Sequence, residues 1–245
     1  MFTARLIRDP AAAGTWNMAV DEALMHSAGT TGQLTLRIYA WAEPTLSMGY
    51  FQSYHERDGH MPSRACAAVR RTTGGGTILH HYDITYSLTG PVRDRTDQQL
   101  PSWYDWVHDA WRDALAEQGF TATRCPQTLR DREHRFLCFE RRAAGDLLLD
   151  GMKIGGSAQR RLPKAALQHG SILLRRSPAA PELPGVAELA GRELACDEWV
   201  ASWVARLGEV LGLTWSEGTL TDGERDEARR IELAKFAHSE WTHRR

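Results

Sequence analysis

Cysteine is scarce in this chain, and its spacing does not suit a metal. The four cysteines stand at 66, 125, 138 and 196 with no C-x-x-C pair, which argues against a zinc knuckle or a thioredoxin-like motif. Their scatter, and an opening Met-Phe-Thr-Ala-Arg-Leu-Ile-Arg-Asp without the apolar core of a secretion signal, point to a reducing cytoplasm. No apolar run approaches the roughly 18 residues of a membrane span. Net charge is nearly absent too. Thirty Lys and Arg against 31 Asp and Glu leave −1, so no overall field favours nucleic acid. Repeats, low-complexity tracts and the G-x-x-x-x-G-K-[ST] phosphate loop are missing. What remains is an ordinary globular composition, 42% hydrophobic and 25% charged over 245 residues. A chain of that length buries roughly 70–75% of its unfolded surface without a disulfide or metal staple.

Patterning predicts an α+β protein. Residues 17–27 read as an early helix. Leu34, Leu36 and Ile38 alternate with Thr35, Arg37 and Tyr39, the period of a half-buried strand, with residues 45–49 as a candidate partner beyond Pro44. Residues 67–71 and 84–89 are further strands, separated by Gly74-Gly75-Gly76. Trp103, Val107, Ala110, Trp111 and Ala114 mark an amphipathic helix over 102–118. A polar stretch of about 20 residues follows, and long unpatterned loops in compact domains are often functional. Asp150-Gly151 between apolar runs signals a hairpin. Residues 166–174 form another strand, and a Pro-rich connector leads to two closing helices, over 197–211 and after Thr221, whose partner Glu224 fits a capping box. Strands and helices do not alternate strictly, which favours α+β over a doubly wound sheet.

Four segments carry possible chemistry. In Arg70-Arg71-Thr72-Thr73-Gly74-Gly75-Gly76-Thr77-Ile78-Leu79-His80, glycines free backbone N–H groups for a ligand and arginines add charge. Taken alone, the glycines fit a flexible hairpin corner better than a ligand loop. His80-His81 lacks the i, i+4 spacing of a helical zinc pair, so no metal is expected. In Gly151-Met152-Lys153-Ile154-Gly155-Gly156-Ser157-Ala158, a hairpin delivers one lysine beside small residues. Either it faces the interior, where desolvation favours its neutral form, or it snorkels from a sheet edge, the reading the residues alone favour. His169, in Leu167-Gln168-His169-Gly170-Ser171, reads as a core histidine with its hydrogen bonds satisfied. Cys138, in Phe136-Leu137-Cys138-Phe139, has apolar flanks in a polar loop and arginines on both sides, which favour thiolate. A small buried hydrophobe is the ordinary alternative for any free cysteine.

The order of these segments resembles the lipoate-protein ligase A and lipoate transferase family, which shares a fold with the biotin protein ligase catalytic domain. The matching pieces are Asn17-Met18-Ala19-Val20-Asp21-Glu22, Thr45-Leu46-Ser47-Met48-Gly49-Tyr50-Phe51-Gln52, residues 70–80, Lys153-Ile154-Gly155-Gly156-Ser157-Ala158-Gln159 and Gln168-His169-Gly170-Ser171. Within that family the Cys138-Phe139 pair looks like the cysteine-dependent octanoyltransferases of the LipM type. The resemblance implies one catalytic domain over 1–245, with a mixed, largely antiparallel sheet flanked by helices. It also implies two-step transfer without a cofactor. Cys138 would accept an octanoyl group from acyl carrier protein, then pass it to a lysine of a glycine cleavage H protein or lipoyl domain. Lys153 would activate the thiol and shuttle protons. Arg71, Gly75, Gly76, His80, Ser157, Ala158, His169 and Gly170 would line the acyl site, with residues 155–158 as its floor. One departure stands out: His81 follows His80 where the family usually has an acidic residue.

Two other functions compete with this one. An ATP-dependent ligase would hold an acyl-adenylate on the glycine loop and Lys153, but only about 70 residues follow the His169 strand, little room for the accessory domain of many such ligases. A catalytically silent binder of lipoyl proteins would need neither Cys138 nor Lys153. The expected partners are acidic proteins, not nucleic acid or membrane. Residues 124–176 hold 12 Lys and Arg against 5 Asp and Glu, whereas 177–245 hold 8 against 13. The chain is expected to act as a monomer.

Overall fold

The alternation at residues 34–39 builds a central strand. The structure, a computed structural model, describes residues 2–92, 99–128 and 135–245. Part of the polar stretch before Cys138, residues 129–134, therefore lies outside the described residues, as do residues 93–98. Along the chain, β1 (Phe2–Arg8) leads to α1 (Gly14–Thr31), β2 (Thr35–Tyr39), β3 (Thr45–Met48), β4 (Ala67–Arg70) and β5 (Ile78–His80). The long β6 (Asp83–Pro91) and α2 (Gln99–Glu117) follow, then β7 (Ala122–Arg124), β8 (Leu147–Leu149), β9 (Met152–Arg161) and β10 (Ala165–Leu173). After them come α3 (Val186–Ala190), α4 (Cys196–Leu211), β11 (Leu213–Gly218), α5 (Asp222–Ile231) and α6 (Ser239–Thr242).

Among the described residues the strands form two sheets. The larger runs β11-β1-β2-β6-β10-β9-β8-β7, parallel over its first three strands and antiparallel beyond. The smaller is β4-β3-β5. This is the α+β arrangement expected, with a mostly antiparallel sheet between helices. On one face α2 and α4 bring Trp103, Trp111, Trp199 and Trp203 against Leu36, Tyr86 and Leu88. On the other lies α1, which packs against β6, β10 and α5.

Two sequence expectations fail here. The strand of residues 34–39 is not half-buried, because both faces of the sheet are covered and Arg37 is 0% exposed. Residues 45–49 do not pair with it, because β1 and β6 already occupy its two edges. The chain bends at 42–43, before Pro44, and β3 starts the second sheet. The approach of α1 to that sheet requires Gly14, where a Cβ would stand 2.9–3.1 Å from Thr45, Trp41 and Val69.

The predicted cap of α5 is present: Thr221 Oγ1 accepts from the Glu224 N–H, and Glu224 accepts in return from the Thr221 N–H. Glu224 also accepts from Arg5 at 2.6 and 2.8 Å and from the Ser27 hydroxyl at 2.8 Å, so it joins β1, α1 and α5. Burial alone would raise its pKa. The Arg5 pair and the Thr221 and Ser27 hydrogen bonds outweigh burial and hold it at about 2. A depressed carboxylate contributes stability above its unfolded pKa and loses it as pH falls through the folded value. Glu224→Gln should therefore cost about 1–2 kcal/mol at pH 7 and flatten the loss of stability expected of the native protein below pH 4.5. Urea midpoints across pH test this; equal midpoints at pH 7 would contradict it.

Candidate active site

Cys138 opens a single 3-10 turn, Cys138–Glu140, and its N–H donates to the Thr77 carbonyl at 2.7 Å. The Thr77 N–H reaches the Phe136 carbonyl in return, which seats the cysteine segment along the end of the glycine loop. Gly76 permits that approach, since a Cβ there would lie 3.1 Å from Cys138 Cα. Lys153 Nζ lies 3.7 Å from Cys138 Sγ and 2.8 Å from Asp146 Oδ2. The two residues expected to work together thus meet across 15 positions of sequence.

Lys153 does face the interior, at 6% exposure. Its protonation differs from the expectation of a lysine pushed toward neutrality. Burial opposes the charge, but the sulfur of Cys138 and the carboxylate of Asp146 outweigh burial and hold the pKa above the ordinary lysine value. Asp146 was not singled out in the sequence. It lies at the foot of β8, and no residue pattern ties it to Lys153.

A bulge decides which face of β9 carries what. Leu147 pairs with Gly155 and Leu148 with Lys153, so Ile154 is the extra residue. Strict alternation would put Lys153 on the face of Gly155 and Ser157. The bulge instead sets it beside Gly156, whose Cβ position is 2.7 Å from Lys153 Cε, and on the side of Ala158. Gly155 packs on Trp111, and the Ser157 hydroxyl bonds His108 and Tyr86, both on the opposite face. The expected floor of residues 155–158 is therefore split, and Ser157 does not line the cavity.

That cavity lies between β10, β6 and the smaller sheet. Arg71, His80, Ala158, His169 and Gly170 line it, together with Met18, Tyr39, Trp41, Ser47, Ile78 and Thr85. Gly75 and Gly76 stay outside, against Arg71 and Cys138. Arg71 holds the glycine loop, donating to the carbonyls of Ser47, Gly74 and Gly76 and to the Thr73 hydroxyl. Burial brings its pKa down to about 10 despite the neighbouring Cys138. His80 donates from Nδ1 to Asp83 at 2.7 Å, accepts at Nε2 from the Ser47 hydroxyl at 2.8 Å, and stacks on Trp41 at 3.9 Å. Asp83 therefore supplies a carboxylate although His81 stands next to His80.

His169 donates from Nδ1 to Asp21 at 3.0 Å and accepts from the Thr73 hydroxyl at 2.7 Å. Burial lowers its pKa more than Asp21 raises it, so it stays neutral. Asp21 also accepts from Arg37 and the Tyr39 hydroxyl, each at 2.9 Å. The sequence offered one hint of this buried network: Asn17 and Asp21 stand four residues apart on the apolar early helix.

A thiol with an ammonium 3.7 Å away, near a cavity lined by Met, Trp and Ile, on this pair of sheets, suits acyl-group chemistry. The chain belongs to the lipoyl protein ligase A/B catalytic domain family, whose description it matches over residues 13–180. It is 31% identical to octanoyltransferase LipM of Kyrpidia tusciae over the whole of both chains. Against octanoyltransferase LipM of Symbiobacterium thermophilum it is 33% identical, over 95% of each. Among solved structures, lipoate-protein ligase A bound with ATP has a TM-score of 0.78 at 23% identity, covering 99% of both chains. A bipartite lipoate protein ligase of Thermoplasma acidophilum reaches 0.74 at 19%, covering 99% of this chain and 97% of its own. These two likenesses define the fold.

Asp21→Asn tests the network beneath the cavity. It leaves Arg37 with one carboxylate fewer, and breaking a buried pair costs about 3–5 kcal/mol. A denaturant midpoint unchanged from the native protein would show that Asp21 does not hold the site together.

Proposed function

We propose that this enzyme moves an octanoyl group from acyl carrier protein, through a thioester on Cys138, to a lysine of a lipoyl-accepting protein such as the glycine cleavage H protein. The observation that carries the reading is the 3.7 Å approach of Lys153 Nζ to Cys138 Sγ, with Asp146 behind the ammonium. The LipM relatives aligned over the full chain support the same reaction.

The ammonium of Lys153 pairs with the Cys138 thiolate, the nucleophilic form. That thiolate attacks the carbonyl carbon of the donor thioester. The bond to the carrier sulfur breaks, and the carrier thiolate leaves. In the acyl-enzyme the Cys138 sulfur no longer carries charge, so Lys153 keeps only Asp146 against the burial that opposes its charge. Lys153 gives its proton to the departing carrier thiolate, and the neutral amine so formed then takes the proton that the acceptor amine must lose. The amine attacks the thioester carbonyl, the C–S bond breaks, and the returning thiolate meets the ammonium again. The first step exchanges one thioester for another of similar energy and the second converts a thioester to an amide, which is downhill, so no nucleotide is needed.

Arg71, His80, Ala158, His169 and Gly170 are assigned to the acyl chain and its carbonyl, while Gly75 and Gly76 serve to seat Cys138. The cavity measures about 20 Å³, room for about one water. An eight-carbon chain therefore enters only as side chains move, and the flexible Met18 is the lining residue best suited to yield. The basic bias of residues 124–176 favours acidic carrier and acceptor proteins, which are steered by charge. The ligase alternative needs a cation free for phosphate, and the donors of Arg71 are already engaged by the loop.

The test supplies octanoyl-acyl carrier protein and apo H protein with no nucleotide, then free octanoate with ATP and Mg²⁺. Modification of the acceptor is expected in the first mixture; modification only in the second would overturn the transferase reading. Cys138→Ser should abolish transfer while Cys66→Ser, Cys125→Ser and Cys196→Ser retain it. Lys153→Arg keeps the charge but cannot exchange a proton, and should lose about 100-fold in rate. Native turnover in Lys153→Arg across pH would remove Lys153 from the proton path.

A further inference from the structure

Asp146 is itself held, and the groups that hold it come from the far side of the sheet. Its Oδ2 accepts from Lys153 and, at 2.6 Å, from the Ala143 N–H. Its Oδ1 accepts from the hydroxyl of Tyr104 at 2.8 Å. Tyr104 lies on α2, and one turn later on the same face stands His108, its ring 4.1 Å from the tyrosine ring. His108 is 0% exposed, and its Nδ1 donates to the carbonyl of Gly145 at 2.7 Å. Arg124 donates to that same carbonyl. Gly145 has φ +85°, and a Cβ there would stand 2.8 Å from Tyr104 Cε1, so the turn that carries Asp146 is pressed against α2.

The other nitrogen of His108 fixes the proton arrangement. Since the Gly145 carbonyl only accepts, Nδ1 carries the proton and Nε2 accepts from the Ser157 hydroxyl at 2.7 Å. Ser157 in turn accepts from the Tyr86 hydroxyl at 2.8 Å, and Tyr86 accepts from the Gln168 amide at 2.5 Å. Gln168 Nε2 also donates to the Trp103 carbonyl at 3.3 Å, and the hydrogen bonds of the line all run one way. Ser157 is four residues beyond Lys153 on β9. Thus α2 grips the turn bearing the carboxylate and the strand bearing the ammonium.

We propose that Tyr104 and His108 are positioning residues for the Cys138–Lys153 pair, acting through Asp146 and the Gly145 turn. This rests on the octanoyltransferase reading for its substrate, but not for its geometry. Neither residue touches the thiol. Tyr104 locks the carboxylate so that Lys153 stays between it and the sulfur; His108 locks the turn. Among the described residues, Lys153 and Tyr104 reach the Asp146 carboxylate itself, while Arg124 and His108 reach the Gly145 carbonyl next to it.

Tyr104→Phe removes one hydroxyl and keeps the ring. The rate constant for acylation of Cys138 by octanoyl-acyl carrier protein should fall about tenfold, the worth of one hydrogen bond to a charged group, with KM for the donor unchanged. Alkylation of Cys138 by iodoacetamide, followed by peptide mapping, should slow by a similar factor. This arm needs no acyl donor. If the native protein fails to acylate, the function falls, while the alkylation comparison still decides the positioning role. In the Asp146→Asn background, Tyr104→Phe should cost nothing more, whereas additive losses would overturn the proposal. His108→Asn, whose amide can still reach the Gly145 carbonyl, should retain more alkylation rate than His108→Phe. Unchanged alkylation in Tyr104→Phe, or a rise in KM at constant rate, would also overturn it, and the Tyr104 variant decides the matter should His108→Phe not fold.

Discussion

Asp21 sits at 1% exposure in the middle of α1, where an unpaired carboxylate would be prohibitively costly. It is tolerated because Arg37, Tyr39 and His169 all donate to it. Those three donors come from β2 and β10, so one charge fixes the helix against two strands of the larger sheet. The constraint travels further. His169 accepts from Thr73, Thr73 accepts from Arg71, and Arg71 gathers the carbonyls of the glycine loop. The loop then seats Cys138 through Thr77. Burial pushes the Asp21 pKa up, but His169 and Arg37 more than reverse it, so the group remains a carboxylate and the chain of donors keeps its direction.

The same logic, on a smaller scale, governs the pair proposed to react. Lys153 is nearly as buried as Asp21 and is likewise kept charged by neighbours of opposite sign. A lysine neutralised by desolvation would be a free base, but it could not stabilise a thiolate. A lysine locked between two permanent anions would stabilise the thiolate but never release a proton. In the proposed transfer, the charge on the sulfur disappears on acylation while the Asp146 contact remains, so the site would alternate between these conditions.

Where pattern and local chemistry coincide, the sequence was legible. Asp150 and Gly151 adopt φ of +47° and +71°, as a tight hairpin between β8 and β9 requires. The Thr221–Glu224 cap and the tryptophan-rich helices likewise follow from spacing that local physics enforces. What was not legible depends on register and on partners far away in the chain. The bulge at Ile154 leaves no residue signature, yet it moves Lys153 to the opposite face from Ser157. Alternation therefore assigns Ser157 to the acyl site when it belongs to the His108 line. Asp146 and Asp83 were missed because each acquires meaning only from a side chain that the fold brings to it. The strand at 34–39 looked half-exposed because Thr35, Arg37 and Tyr39 are polar. Buried ion pairing, not solvent, explains them.

The two faces of β9 divide the labour of the site. One carries Lys153, Gly156 and Ala158 toward the thiol and the cavity; the other carries Gly155 and Ser157 into Trp111, His108 and Tyr86. The second face makes the first rigid, and its polarity is fixed because burial holds His108 neutral, with its pKa down at about 3. A neutral imidazole has one donor and one acceptor, and both are matched here, so the line cannot reverse without leaving a buried group unsatisfied. An apolar interface would have held the strand as tightly. It would not have fixed the Gly145 carbonyl, and with it the direction in which Asp146 presents its carboxylate. Orientation is the quantity at stake, because an ammonium 2.8 Å from the carboxylate and 3.7 Å from the sulfur interacts with both, and at these separations its share in each changes steeply with small displacements.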